Sequence, residues 1–205
     1  MTQLDAPEAV KLGRKRDPSR DADILNATLD VLAEYGYEGM TIDMVAARAK
    51  AGKATVYRRW ESKSELVIDA VACMKGPIDF DALPDTGTLR GDLVAMIKPP
   101  TIADAQRKIA IMGGLMSLIQ QEPDLAAAAH LAVMEPRLAV NRVLLQRAID
   151  RGEIRADIDI DLVATVSSAM VSYRTIMLRK PVDRAFLISI IDEIVLPAVQ
   201  KASEA

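Results

Sequence analysis

The stretch TIDMVAARAKAGKATVYRRWESK, residues 41–63, decides the fold of this chain. It predicts two short helices separated by a tight turn, in which Gly52 suits a position with positive φ. Thr41 is a favourable N-cap for the first helix, because its hydroxyl can accept a backbone N–H that has no partner within the helix. Small apolar side chains then recur at helical spacing at Ile42, Val45, Ala46 and Ala49. The first helix therefore has one narrow buried face.

The second helix of this stretch divides into an apolar side and a side of hydrogen-bond donors. Val56 and Trp60 lie four residues apart and give the helix one buried face. The donors on the other side are Lys53, Thr55, Tyr57, Arg58 and Arg59. Two short helices, a turn of small residues and a cationic second helix indicate a helix-turn-helix, whose second helix enters the major groove of DNA.

The same stretch resembles the signature of the tetracycline-repressor (TetR) family of transcriptional regulators. Members of that family typically read T-[IV]-x-x-[IV]-A-x-x-A-G-V-[SG]-x-[GA]-[ST]-[LIV]-Y-x-[HR]-[FW]-x-S-K-x-x-L. The positions that fit are Thr41, Ile42, Val45, Ala46, Ala49, Gly52, Ala54, Thr55, Val56, Tyr57, Arg59, Trp60, Ser62, Lys63 and Leu66. The chain departs from the pattern at Lys50 and Ala51, where glycine and valine are usual. Beyond this region the chain resembles the family only in its all-helical pattern.

The resemblance implies an all-α protein in which an N-terminal helix-turn-helix domain precedes a helical domain for ligand binding and dimerisation. We accordingly divide the chain into a basic N-terminal arm (1–20), a DNA-binding head with a connecting fourth helix (21–75) and a C-terminal domain (76–205). In the head, a further helix is expected over Asp21–Tyr35, with Gly36 as its stop. In the C-terminal domain, Gly113-Gly114 is expected to kink or split a helix.

The resemblance also implies roles for individual residues of the head. Phosphate contacts are expected from Tyr57 and Lys63, with Thr41 adding a contact at a helix N-terminus. The side chains expected to reach base edges are Lys53, Thr55 and Arg58. Arginine or lysine against guanine is the commonest such pairing. The complete predicted DNA-binding surface of the head is Thr41, Lys53, Ala54, Thr55, Tyr57, Arg58, Arg59 and Lys63.

Composition points to the same fold class. Of the 205 residues, 50% are hydrophobic but only 3% are aromatic, helix formers dominate, and no window shows sustained strand alternation. The single cysteine, Cys73, excludes an internal disulfide and a cysteine-cluster metal site. The N-terminus carries no apolar signal segment, and no apolar run reaches membrane-spanning length. We therefore expect a cytoplasmic protein with no membrane partner.

The distribution of charge matters more than its sum. A net charge of −3 by itself argues against a partner that is a nucleic acid. However, Lys11–Arg20 contains five basic residues and one acidic, and Arg48–Lys63 contains six basic residues and one acidic. Such runs beside a helix-turn-helix favour phosphate binding over a merely solvated face. For Arg14 and Arg16 two interpretations stay open, a basic arm on the DNA backbone or minor groove and an unbound tail.

The sequence offers little material for catalysis. His130 is the only histidine, so a serine triad, a paired-histidine zinc site and a histidine proton relay have little to build on. Gly113-Gly114 lacks the Lys-Ser/Thr ending of a phosphate-binding loop. We therefore expect no enzyme, no catalytic residue, no cofactor and no metal site.

The C-terminal region carries two predicted functional surfaces. The resemblance implies a ligand cavity among its helices, and the residues predicted to line it are Met112, Met116, Met170 and Tyr173. Ordinary core packing is the alternative for these methionines. The last helix, Asp183 to about Val199, has more apolar surface than one packing face needs, which predicts a dimer interface. The residues assigned to that interface are Ser167, Phe186, Ile190 and Ile194.

Together these features predict a dimeric repressor that binds double-stranded DNA at a palindromic operator and is released by a small apolar or amphipathic molecule. Two alternatives belong to other classes of protein. One is a small-molecule-binding protein or enzyme with a vestigial DNA-binding head, and the other is a protein that coats DNA without sequence preference. A shift assay with operator and scrambled DNA separates all three. The identity of the effector, the operator sequence and the choice between repression and activation stay open.

Overall fold

The computed structural model describes residues 18–74, 78–97 and 102–200, and every regular element within these ranges is helical. The predicted all-α class is confirmed. Arg14 and Arg16 of the predicted arm lie outside the described residues. Within the same ranges, no helix has both the length and the apolar character that crossing a bilayer requires.

The N-terminal head consists of four helices. They are α1 (Pro18–Gly39), α2 (Ile42–Arg48), α3 (Lys53–Tyr57) and α4 (Lys63–Cys73). Gly36 breaks the regular path of α1 with φ 68 and ψ 175, as expected for a glycine stop. Thr41 caps α2 by accepting from the Met44 N–H, and Ser62 caps α4 by accepting from the Glu65 N–H at 3.0 Å. Both caps follow from residue types placed where a helix begins.

The described residues of the C-terminal part form seven α-helices. They are α5 (Leu89–Ala95), α6 (Ile102–Gln121), α7 (Ala126–Ala129), α8 (Glu135–Asp150), α9 (Ile160–Ser172), α10 (Arg184–Ile190) and α11 (Leu196–Val199). Of these, α6, α8 and α9 are the longest. A 3₁₀ turn, Pro123–Leu125, precedes α7. Three π-helical turns continue the helices on either side of them, at His130–Met134, Tyr173–Met177 and Ile191–Val195. As a result α7 runs directly into α8, and α10 into α11.

Two hydrophobic clusters hold the chain together, and they do not follow the predicted boundary at residue 75. The first contains the head residues Leu32, Val45 and Trp60 together with Ile111 and Leu118 of α6. The second cluster lies further from the head and includes Leu83, Leu89, Leu144, Leu145, Ile154 and Val199. Thus α6 shares a hydrophobic core with α1 to α4.

The contact between α1 and α6 depends on a glycine. The expected kink at Gly113-Gly114 is wrong, because α6 runs unbroken through both residues. Gly114 is buried, and a Cβ placed there would lie 2.5 Å from Cδ1 of Leu32 in α1. Gly113 has no neighbour within 4 Å of the same position. Gly114 therefore serves close approach of two helices and does not break α6.

Candidate nucleic-acid interface

The turn between α2 and α3 has its left-handed residue at an unexpected place. Gly52 has φ −73 and ψ 142 and forms the N-cap of α3, so the prediction of positive φ there is wrong. Lys50 adopts φ 49 instead, two residues earlier, at a position where the family pattern has glycine. The Ala51 N–H closes the turn on the Ala46 carbonyl at 2.8 Å. This hydrogen bond requires a tight reversal of the chain, which Lys50 makes. The left-handed backbone conformation costs energy at a residue that has a Cβ.

Beneath the surface of α3, two apolar side chains fix its orientation. Val56 is fully buried and Trp60 is 6% exposed. The Trp60 indole N–H donates to the carboxylate of Asp69 in α4 at 2.8 Å. These contacts orient α3 so that its opposite face points to solvent.

That solvent-facing side carries most of the side chains predicted to contact DNA. Lys53, Ala54, Tyr57 and Arg58 are exposed, with Tyr57 at 48%, and Thr55 lies partly exposed beside them. A phenol and an ammonium on α3 and the guanidinium of its C-cap, Arg58, are thus all exposed on this side. These groups donate to phosphate and to guanine, and the helix diameter fits a major groove.

The two outermost cations of this face differ in their partners. Lys53 Nζ lies 2.9 Å from the carboxylate of Asp43, which raises the pKa of the Lys53 ammonium. Arg58 donates to the Thr55 hydroxyl at 3.3 Å, and no carboxylate of the described residues pairs with it. Arg58 is therefore the cation most available to an incoming base, whereas Lys53 must first leave a carboxylate.

Two predicted DNA contacts point inward. The Arg59 side chain is 13% exposed and forms an ion pair with Asp21 of α1. Lys63 Nζ donates to the Tyr37 carbonyl at 2.9 Å and lies 4.1 Å from the centre of the Tyr37 ring. Both cations therefore tie α1 to the following helices. These partners could not be predicted from the sequence, because they lie more than twenty positions away. A phosphate contact by either residue stays a prediction.

Thr41 lies at the surface of the head, whereas Tyr37 is buried. Thr41 is exposed, and its hydroxyl is already engaged as the cap of α2. Tyr37, missed by the sequence reasoning, donates its hydroxyl to the carboxylate of Glu122 at the end of α6. The same tyrosine thus contacts Lys63 at the start of α4 and the C-terminal part of the chain.

The predicted ligand-pocket residues do not share one environment. Met112 is 8% exposed, and Met116 and Met170 are partly buried. Tyr173 is 54% exposed and lies on the outer surface of the chain, so the structure does not support its assignment as a polar group on an interior wall. Tyr173 begins the π-helical turn Tyr173–Met177, and residue spacing alone did not indicate that its side chain would face outward.

The predicted dimer residues are also divided. Ile194 is 39% exposed, Ser167 is partly buried, and Phe186 lies beneath the Arg174 guanidinium at 4.2 Å. Ile190 is only 3% exposed and packs inside its own subunit, so the structure contradicts its place on a free surface. The large exposed apolar side chains that sequence reasoning missed nearby are Leu162, Met177 and Leu178.

Comparison with protein families agrees with the geometry of both parts. Residues 24–70 match the model for bacterial regulatory proteins of the tetR family. Residues 83–194 match the model for the tetracyclin repressor-like C-terminal domain. The first match spans the helix-turn-helix and most of α4, and the second covers α5 through most of the last helix.

Individual relatives extend the likeness over nearly the whole chain. An uncharacterized HTH-type transcriptional regulator of Mycobacterium tuberculosis is 32% identical over 194 residues, covering 93% of this chain and 95% of the relative. The DNA-binding transcriptional repressor TetR of Mycobacteroides abscessus is 33% identical over 190 residues, covering 90% and 96%. The crystal structure of the TetR family transcription regulator SCO0332 aligns with a TM-score of 0.62 at 27% identity, covering 86% of this chain and 97% of that one.

Proposed function

The chain belongs to the TetR family of bacterial regulatory proteins, and on that premise we propose that it is a dimeric repressor released from a palindromic operator by a small apolar or amphipathic molecule. One observation carries the proposal. The exposed face of α3 presents Lys53, Tyr57 and Arg58 over a buried base of Val56 and Trp60. A rigid helix with donors on its free side is what base readout in a major groove requires.

The proposed role of each side chain on α3 and α4 follows from its contacts. Arg58, with no carboxylate partner among the described residues, reads a base edge. Tyr57 donates to a phosphate. Lys53 exchanges the Asp43 carboxylate for DNA, so its contribution is reduced by the lost ion pair. Arg59 and Lys63 hold α3 and α4 against α1 and orient the reading helix.

Two heads are needed because one short helix touches too few base pairs to select a genomic site. In a two-fold dimer the two reading helices enter successive major grooves about 34–36 Å apart, which accounts for a palindromic operator. The surface we assign to the dimer lies on α9 and the turn that follows it. Leu162, Tyr173 and Met177 are 66%, 54% and 70% exposed and lie on one side of that helix. Ile194 of the last helix, 39% exposed, adds to the exposed apolar surface of this region.

The opposite side of α9 is already occupied, which leaves its outer side for a partner. Ala164 is 1% exposed, and its carbonyl accepts from the Asn141 amide of α8 at 2.8 Å. A monomeric protein rarely exposes several large apolar side chains on one face. A second copy of the chain would cover this surface and fix the separation of the heads.

Effector binding reaches the head through α6 in this proposal. The helix packs against α1 at Gly114 and shares the first hydrophobic cluster with the head. A ligand that displaces α6 would therefore tilt α1 and α4 and change the distance between the two reading helices. A ligand acts in this way only if it binds the released arrangement more tightly than the DNA-bound one.

The test begins with selection of bound sequences from random DNA, followed by a shift assay on the selected site. We expect a palindrome, tight binding to it and a much weaker complex with scrambled DNA. A ligand screen for release of the selected DNA then identifies the effector. No DNA binding at all would favour a small-molecule-binding protein with a vestigial head. Equal affinity for scrambled DNA would favour a protein that coats DNA.

A further inference from the structure

We propose that the cleft between α1 and the turn before α3 binds one phosphate of the DNA backbone, and that Arg20 and Lys50 are its ligands. This assignment rests on the proposed function and deepens it, because it adds a contact outside the reading surface of α3. Its basis is a cavity that both side chains line, next to the helix proposed to enter the major groove.

The cleft brings two separate parts of the head together. One side is formed by α1, and the other by the end of α2 and the turn that follows it. Its volume is about 350 Å³. Ala27 and Ala49 line it from the two sides and are 5% and 8% exposed, so they form its inner wall. The Arg20 guanidinium, in the first turn of α1, donates to the Lys50 carbonyl. This hydrogen bond holds the two cationic residues side by side in one cleft.

The charged side chains of the cleft favour an anion. They are three cations and two carboxylates, namely Arg20, Arg48, Lys50, Asp23 and Asp30. Two of the five are paired with residues that do not line the cleft. Arg48 lies 2.6 Å from the carboxylate of Glu34, and Asp30 lies 2.7 Å from the guanidinium of Arg107. The cations Arg20 and Lys50 therefore face the single carboxylate of Asp23, which leaves one positive charge for the one negative charge of a backbone phosphate.

The position of the cleft in the head suits the DNA backbone. Lys50 precedes Lys53, the first residue of α3, by three positions, so their Cα atoms are at most about 11 Å apart. A major groove is about 12 Å wide, and the two phosphate backbones are its walls. Lys50 is exposed. Its ammonium can therefore reach the backbone when the start of α3 lies in the groove.

The backbone of Lys50 supports the assignment independently of the cleft. Lys50 has φ 49, which a residue with a Cβ adopts only at a cost in energy, at a position where the family pattern has glycine. The turn is held in this conformation by the Arg20 hydrogen bond and by the bond from the Ala51 N–H to the Ala46 carbonyl at 2.8 Å. Backbone strain that the surroundings maintain is concentrated at binding sites. The chain thus keeps a strained lysine in a cationic cleft where glycine would be unstrained.

The assignment is tested by replacing single phosphates of the selected operator with neutral methylphosphonates, one position at a time. With the wild type, neutralising one phosphate in each half-site, beside the bases that α3 reads, should weaken binding roughly three- to tenfold. Lys50→Ala and Arg20→Ala should each weaken binding to unmodified DNA and respond less to that replacement. The double variant should not respond to it at all, because the contact is already lost. Its salt slope should be flatter by about 0.9.

Three further variants separate binding from folding and from net charge. Lys50→Gly removes the ammonium and relieves the strain, so it should bind DNA more weakly although the fold is more stable. Lys180→Ala removes one positive charge from an exposed position in the C-terminal part and should bind the operator like the wild type. Asp23→Asn removes a carboxylate from the cleft and should strengthen binding by roughly two- to fivefold. Wild-type affinity in Lys50→Gly, or equal losses in Lys180→Ala and Lys50→Ala, would overturn the assignment.

The same assays distinguish this assignment from the proposed function. If the wild type selects a palindrome and the Arg20 and Lys50 double variant keeps its affinity and its response to every methylphosphonate, the repressor function stands and the phosphate site is wrong. If the wild type binds scrambled DNA as tightly as the operator and the double variant loses the response to one phosphate, the phosphate site stands and the repressor function is wrong. If the wild type binds no DNA, both are wrong.

Discussion

Tyr37, at the end of α1, donates its hydroxyl to the carboxylate of Glu122, which directly follows α6. The tyrosine is 3% exposed, and burial together with this hydrogen bond raises the pKa of Tyr37 to about 12. The hydroxyl therefore remains a donor throughout the neutral pH range. The ring of the same residue lies 4.1 Å from the Lys63 ammonium at the start of α4. One side chain thus joins the head to the end of the helix that we expect an effector to move.

Tyr37→Phe should lower the free energy of unfolding by about 1 kcal/mol, because it leaves a carboxylate without its donor. It should also weaken the effect of an effector on operator affinity, since one link between α6 and the head is lost. Urea unfolding and operator titration measure the two effects. Tyr35→Phe is the control, because Tyr35 is 46% exposed and lies two positions before Tyr37. Equal losses in both variants would contradict a specific role for the bond to Glu122.

Gly114→Ala should destabilise the protein by roughly 1–3 kcal/mol, because its new methyl group would overlap Leu32 and force α1 away from α6. Gly113→Ala is the matched control on the same helix, where the added methyl group meets no neighbour within 4 Å. That variant should stabilise α6 by up to about 1 kcal/mol, since alanine has the higher helix propensity. Thermal unfolding distinguishes the pair, and a stabilised Gly114→Ala variant would show that the two helices separate easily.

Lys50→Gly should raise the free energy of unfolding by about 1 kcal/mol, because Lys50 holds φ 49, which glycine adopts without steric cost. Lys50→Ala removes the same side chain and keeps the strained backbone, so it should give no such gain. The difference between the two variants in chemical denaturation isolates the backbone effect. Identical stabilities would mean that the turn relaxes when the lysine is removed.

The sequence-based predictions that hold in the structure depend on residues close together in the chain. Thr41 and Ser62 cap helices whose first turns follow them directly. Val56 and Trp60 are buried because four positions bring two side chains to one helix face. Such local rules were enough to predict the all-α class and the side of α3 that faces outward.

The features that could not be predicted from the sequence depend on partners from distant parts of the chain. In the sequence Arg59 resembles its neighbour Arg58, but in the fold it forms an ion pair with Asp21 of α1. Gly114 was expected to kink α6, because Leu32, which leaves no room for a Cβ at this position, lies in another helix. Ile190 was assigned to a free surface because the number of apolar positions in the last helix does not say which of them face the same subunit. Tertiary packing decides all three cases.

The adjacent arginines of α3 provide a direct test of the reading surface. Arg58→Ala should cost roughly 1–3 kcal/mol at the cognate base pair and relax sequence preference there, because it removes a base contact. Arg59→Ala should lower thermal stability by breaking the ion pair with Asp21. It should also weaken binding to all DNA sequences alike. Binding to a panel of single-base operator variants measures both. A loss of base preference in Arg59→Ala with unchanged stability would reverse the two assignments.

The dimer surface gives the last prediction, and the structure changes which residues test it. Leu162 and Met177 are 66% and 70% exposed and lie on the proposed dimer surface. The double variant Leu162→Glu, Met177→Glu places two charges on that surface. Within one subunit these charges remain in water, so helical circular dichroism and monomer stability should be retained. Across a two-fold interface each charge would be buried near its own copy, at a cost of several kcal/mol. The double variant should therefore sediment as a monomer.

Loss of the dimer should also remove the coupling between the two heads. Specific operator binding should then fall to the level of scrambled DNA, while weak binding through phosphate contacts persists. Ile190→Glu is the informative contrast, because Ile190 is 3% exposed within its own subunit. A charge there should unfold the C-terminal helices, with loss of circular dichroism, before any effect on assembly can be measured. A stable dimer with intact operator affinity in the Leu162 and Met177 double variant would exclude this surface, and the separation of the heads would have to be set by another pair of helices.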